Sequence, residues 1–226
     1  MTATTSQKAI METVLTAILL FTIQVSVGLN ASLAPLAIGG VLIAIVFAGG
    51  PISGAHLNPA VSLAIALRKG GGYLSFSLMG IYWIAQLIGG ILGSVLGGYV
   101  TSTHVMIAVG SDSTLGQALT VECVYTFILC FVVLNVATNP KVDNNQYYAL
   151  AIGFVIMAGA ITVGPISGGA FNPVVALGLS VSSKGAASDL GYALAVSAAD
   201  FVGGALAAAV FYFVIDDDEH VYDSIA

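Results

Sequence analysis

The tract PISGAHLNPAV at Pro51–Val61 returns 114 residues later as PISGGAFNPVV at Pro165–Val175, with seven of eleven positions identical. Each copy holds an Asn-Pro pair. Asn is a preferred helix N-cap, and Pro at the first helical position has the right φ and needs no N–H there. A single Asn-Pro is found in many turns. Two copies at a fixed offset, each in a Gly-rich loop between apolar runs, are poorly explained as turns alone. They predict two helices broken at membrane depth.

The surroundings make membrane depth the relevant setting. The chain is 58% hydrophobic and 7% charged, with a mean hydropathy of +1.02. Soluble domains carry about 25% charged residues. Six long apolar segments stand near Ile10–Leu29, Ala34–Gly50, Phe76–Val100, Leu115–Ala137, Tyr147–Gly164 and Leu190–Ile215. Each approaches or exceeds the roughly 20 residues that cross a bilayer. Pro59–Leu67 and Pro173–Val181 follow the two Asn-Pro pairs and are too short to span, which suits re-entrant half-helices. The first apolar run lacks a basic region before it and reads as a retained span rather than a cleaved signal.

The 114-residue offset extends beyond the tract. Leu36-Ala37-Ile38-Gly39 matches Leu150-Ala151-Ile152-Gly153, Gly89-Gly90 matches Gly203-Gly204, and Leu92 matches Leu206. Glu12 and Glu122 hold similar places in the first and fourth spans. Residues 1–226 thus read as one membrane domain of two repeats, about 8–100 and about 115–215, with an acidic tail at 216–226. Three spans separate Asn58 from Asn172. An odd number of crossings puts the broken segments on opposite sides, so the repeats are inverted and the half-helices meet near the midplane. Lys8, Arg68, Lys69 and Lys141 fall on one side and Lys184 on the other. That places both termini in the cytoplasm.

Irregular backbone at membrane depth is tolerated where it is buried in protein or lines a water-filled cavity. The loops Gly50–Leu57 and Gly164–Phe171 are expected to be non-helical, with carbonyls that a file of water or small polar solute can satisfy. Each half-helix presents a partial positive charge at its N-terminus. Two such ends facing each other disfavour cations and excess protons. Each Asn can cap its helix through oxygen and point its NH2 group at permeant oxygens. The expectation is a passive channel for neutral, hydrogen-bonding solutes.

The same residues resemble the major intrinsic protein family, the aquaporins and aquaglyceroporins. Ser53–Val61 is similar to that family's first signature loop and Ser167–Val175 to its second. The resemblance covers nearly the whole chain. It implies an all-α membrane protein of six transmembrane helices and two re-entrant half-helices, with a pore in each subunit of a homotetramer. It assigns Asn58, Pro59, Ala60, Asn172, Pro173 and Val174 to the pore motifs, and Glu12 and Glu122 to bracing the loops. By spacing from the asparagines, the family's selectivity filter falls at Ile38, Ala160, Gly169 and Val175. Here the sequence departs from the pattern: the family usually has Arg where this chain has Val175, and its water-selective members carry an aromatic residue and His at the first two filter positions. A filter of these four residues is wide and apolar. Width admits glycerol, urea or ammonia, while an apolar constriction raises the cost of desolvating a polar permeant. The competing reading is a structural or junctional membrane protein with a closed pore, expected if Phe171 or Ile38 occludes the path.

His56 is expected to line the pore or to serve structurally. Asp200, at the repeat position of Gln86, is an intramembrane carboxyl that reads as a bracing group or as a functional site. Gly89, Gly93 and Gly97 form a small-residue stripe for close helix packing. Tyr82, Trp83, Tyr99, Tyr147 and Tyr148 lie near span ends, where interfacial belts occur. Cys123 and Cys130 read as packed thiols, and His104 and His220 as exposed. No metal-ligand spacing, cofactor motif or catalytic motif is present. The acidic tail does not favour nucleic acid as a partner. The expected partners are water, small neutral solutes and lipid.

Overall fold

The computed structural model describes residues 3–68, 73–182 and 186–214, the side chains of 186–189 excepted. Lys69, Lys184, His220 and the acidic tail lie outside the described residues. The helices are α1 (Thr5–Gly28), α2 (Ala34–Ser53), α3 (Pro59–Leu67), α4 (Phe76–Thr101), α5 (Leu115–Ala137), α6 (Tyr148–Thr162), α7 (Gly164–Ser167), α8 (Pro173–Ser182) and α9 (Ala186–Val214). Thr4 and Thr114 start the equivalent helices α1 and α5 with capping boxes closed by Gln7 and Gln117.

Among the described residues, five helices are long and apolar enough to cross a membrane: α1, α2, α4, α5 and the Leu190–Val214 part of α9. The fifth expected span differs from expectation: α6 stops at Thr162 after 15 residues, and the helix resumes in α7. Two local causes combine. Pro165 lacks the N–H that would close the next turn. Thr162 also turns its Oγ1 back onto the Ala158 carbonyl at 2.7 Å, a bond that bends helices. At the equivalent point α2 has Ala48, which makes no such bond, and α2 runs through Pro51 unbroken.

The irregular stretches are shorter than the sequence suggests. Gly50–Ser53 belongs to α2 and Gly164–Ser167 to α7, because in lipid each backbone group that can stay in a helix avoids an unsatisfied polar group. Both helices end on a left-handed glycine, Gly54 at φ 87° and Gly168 at φ 92°, the usual helix stop.

Packing follows the inverted repeat. α1 lies along α4 and α5 along α9, α2 crosses α6, and each half-helix packs against the last helix of both repeats. The glycine pairs make this possible. A Cβ on Gly89 would strike the Thr13 carbonyl of α1, and one on Gly203 the Cys123 carbonyl of α5. Gly90 and Gly204 face the other way, onto Val174 of α8 and Ala60 of α3. Gly39 and Gly153 meet where α2 crosses α6, each 2.7 Å from the other's carbonyl by a notional Cβ. The small-residue stripe is thus a backbone-to-backbone contact, the packing mode of helices in lipid. The outside carries large apolar side chains such as Ile10, Ile84, Tyr99 and Phe213, while Glu12, Gln86, Glu122 and Asp200 are fully buried.

Candidate functional site

Gly54–Leu57 and Gly168–Phe171 bend back toward the middle of the molecule with the same backbone shape. Positive φ occurs at Gly54, Ala55 and Leu57 in the first loop and at Gly168, Gly169 and Phe171 in the second. Three of these six are non-glycine, and the left-handed region costs such residues roughly 1–2 kcal/mol. The strain is held in place by buried carboxylates. Glu12 Oε1 accepts from Ser53 Oγ at 2.7 Å and the His56 N–H at 3.0 Å, while Oε2 accepts from the Leu57 N–H at 2.8 Å and Gln86 Nε2 at 2.8 Å. Glu122 Oε1 accepts from Ser167 Oγ at 2.6 Å and the Ala170 N–H at 3.0 Å, and Oε2 from the Phe171 N–H at 2.7 Å. Each carboxylate therefore gathers N–H groups that the turn has removed from any helix, and charged acceptors make the stronger hydrogen bonds.

The asparagines join the loops to each other. Asn58 caps α3 by accepting from the Ala60 N–H at 2.8 Å, and its Nδ2 donates to the Phe171 carbonyl at 2.8 Å. Asn172 accepts from the Val174 N–H at 3.0 Å, and its Nδ2 donates to the Leu57 carbonyl at 2.9 Å. One amide hydrogen of each asparagine is thus spent on the opposite loop, a use the sequence did not suggest. An amide carries two donors, so one remains on each side chain. Pro59 and Pro173 open α3 and α8, and Ala60 and Val174 supply the N–H groups that are capped. Among the described residues, no donor reaches the carbonyls of Ala55, His56, Gly169 or Ala170.

A cavity of about 1040 Å³ runs past these groups. Asn58, Asn172 and His56 line it, as do Ile38, Ala160, Gly169 and Val175. Residues at both ends share it: Lys8, Asn139, Pro140 and Val142–Asn145 at one, Ala34, Val105 and Met106 at the other. Apart from His56, the ionisable side chains that line it are Lys8 and Asp143, both at one mouth, and Tyr73 and Tyr148. Phe171 does not line it. Its ring is 1% exposed, packed against Tyr125 at a centroid distance of 5.2 Å and over Gly159, which leaves room for it. Ile38 does line it. His56 is tied down: its N–H is held by Glu12, and its Nδ1 lies 3.1 Å from Ser62 Oγ.

Several positioning residues escaped the sequence reading. Tyr82 is not in an interfacial belt; it is 1% exposed and donates to the Ser53 carbonyl at 2.6 Å. Tyr192 makes the matching bond to the Ser167 carbonyl at 2.8 Å. Trp83 also turns inward, donating to the Pro59 carbonyl at 3.1 Å, and Tyr148 packs on Phe47 beside the cavity. Tyr99 and Tyr147 are exposed, as a belt requires. Gln24 brackets the loop after α4 through the Thr103 carbonyl and the Val105 N–H. Arg68 is buried and donates to Thr138 through Nε and Nη2, at 2.8 and 2.7 Å. The tyrosines' repeat relation was the available signal, since Tyr82 and Tyr192 share the 110-residue offset of Glu12 and Glu122.

Comparison with known proteins agrees with this geometry. The family model for the major intrinsic protein family matches residues 1–212. A probable aquaporin TIP2-2 of Oryza sativa subsp. japonica is 36% identical over 177 residues, 76% of this chain and 67% of its own length. Aquaporin TIP2-3 of Arabidopsis thaliana is 36% identical over 163 residues, 71% of this chain and 62% of its own. The chain thus matches less than two thirds of the Arabidopsis relative. The X-ray structure of the aquaglyceroporin from Plasmodium falciparum superposes with a TM-score of 0.82 at 22% identity, over 93% of this chain and 97% of that one. The chain is an integral membrane protein that belongs to the major intrinsic protein family, with an aquaporin-like fold.

Proposed function

We propose that this protein is a passive transmembrane channel for water and small neutral solutes, with one pore through each subunit. The observation that carries the reading is a cavity that passes both asparagines and reaches both ends of the molecule without crossing a charged side chain in its middle. The free amide hydrogens of Asn58 and Asn172 and the unpaired loop carbonyls give a permeant donors and acceptors in sequence. The N-termini of α3 and α8 point their partial positive charge at the same place, which opposes cations and excess protons.

Ile38, Ala160, Gly169 and Val175 form the selectivity filter in this reading. With no Arg, the filter adds no positive charge and takes up less of the opening. Glycerol, urea or ammonia then pass along with water. The cavity's course beside Val175, and the withdrawal of Phe171 from it, favour an open channel over a closed structural protein. Residues 1–226 act as a single domain of two inverted repeats, both termini are cytoplasmic, and four copies assemble, their exposed apolar faces shared between lipid and neighbouring subunits. Stopped-flow light scattering of proteoliposomes under water, glycerol and urea gradients tests the function. Flux above protein-free vesicles for water and at least one solute is expected; impermeability to all three overturns the reading.

A further inference from the structure

The two bracing carboxylates are not equally provided for. Glu12 receives four donors, and the fourth is Gln86 Nε2. Glu122 receives three. Where the repeat of Gln86 falls, the chain has Asp200, fully buried and interacting with Glu122. Asp200 Oδ1 accepts from Thr126 Oγ1 at 2.8 Å, and its Oδ2 is buried with no hydrogen-bond partner. The neighbouring hydroxyls are committed: Thr126 donates to Asp200, and Tyr192 donates to the Ser167 carbonyl. Two ionised carboxylates side by side, shielded from water, are strongly disfavoured, and sharing one proton removes the conflict.

We propose that Asp200 carries a proton and donates it in a hydrogen bond to Glu122, supplying to the second re-entrant loop the fourth bond that Gln86 supplies to the first. Asp200 is then a positioning residue. It acts on the pore through Glu122, which holds the Ala170 and Phe171 N–H groups behind Gly169 and Asn172. The groups facing it are Glu122, Thr126, Cys123 and Cys130 of α5, Tyr192 of its own helix, and the Asn172 backbone N–H. None of these side chains is a cation that would favour its ionised form. Without that proton two anions would lie side by side behind the second loop, whereas the first loop is tied by a neutral amide.

Infrared spectroscopy of the protein in lipid vesicles, read for the carbonyl stretch of a protonated carboxyl, tests this directly. The wild type should show the band at neutral pH, and Asp200→Asn should lack it. Asn keeps both a donor for Glu122 and an acceptor for Thr126, so Asp200→Asn should retain water permeability. Asp200→Leu leaves the Thr126 hydroxyl and Glu122 without their partner and should lower permeability clearly below that of Asp200→Asn. Absence of the band at neutral pH, or a loss in Asp200→Asn as large as in Asp200→Leu, overturns the proposal. If Asp200→Leu does not fold, the band and the Asp200→Asn permeability still decide. The permeability arms rest on the channel reading and the infrared arm does not, so a band that vanishes in Asp200→Asn from vesicles without flux sinks the channel reading alone.

Discussion

Glu12 and Glu122 each serve two or more backbone N–H or hydroxyl groups that no helix can satisfy. Removing such an acceptor leaves each buried donor with a penalty of about 1–3 kcal/mol. Glu12→Leu strands the Ser53 hydroxyl, the His56 and Leu57 N–H groups and Gln86 together. We therefore expect it to lower the thermal unfolding midpoint in detergent sharply, and Glu12→Gln, which keeps one acceptor oxygen, to lower it less. Equal midpoints for the two variants would contradict the bracing role. At this scale the sequence was informative where a residue type is costly at membrane depth. The two glutamates and Asp200 stand out among apolar neighbours. It was uninformative for Tyr82, Ser53 and Ser62, because a tyrosine near a span end looks the same whether it faces the interface or a buried carbonyl.

Among the elements, the helices were legible from apolar run length and the half-helices from their Asn-Pro starts. Their ends were less so. Nothing in run length shows that Thr162 will bond back to Ala158, or that Gly50–Ser53 will stay helical up to Gly54. The glycines sort by what surrounds them. A Cβ at Gly203 meets the Cys123 backbone, which has nowhere to go, whereas Gly80 has no neighbouring atom within 4 Å. Gly203→Val should therefore separate α9 from α5 and destabilise the protein by about 1–3 kcal/mol or more, as overpacked cores do. Gly80→Ala should be neutral or stabilising by up to about 1 kcal/mol through helix propensity. Thermal unfolding of both variants in one detergent checks the contrast, and similar losses at the two sites would refute the backbone-contact account.

For the whole molecule, the parity of the spans between the two Asn-Pro tracts gave the inverted repeat, and the repeat gave the meeting of two half-helices at mid-depth. The structure adds that the loops are cross-linked by the asparagines and that the repeat is imperfect where it matters. Ala176 stands where the first repeat has Ser62, Asp200 stands where it has Gln86, and the expected filter has no charge. In the proposed channel, selectivity then rests on four small or apolar side chains that line the cavity. The most direct test is paired stopped-flow measurement of glycerol and water flux through wild-type and Val175→Arg proteoliposomes. If the conducting path runs between Ile38, Ala160, Gly169 and Val175, the added guanidinium narrows it, and glycerol flux falls more than water flux. Unchanged flux of both solutes in Val175→Arg, with the wild type conducting, would place the path elsewhere and contradict the account.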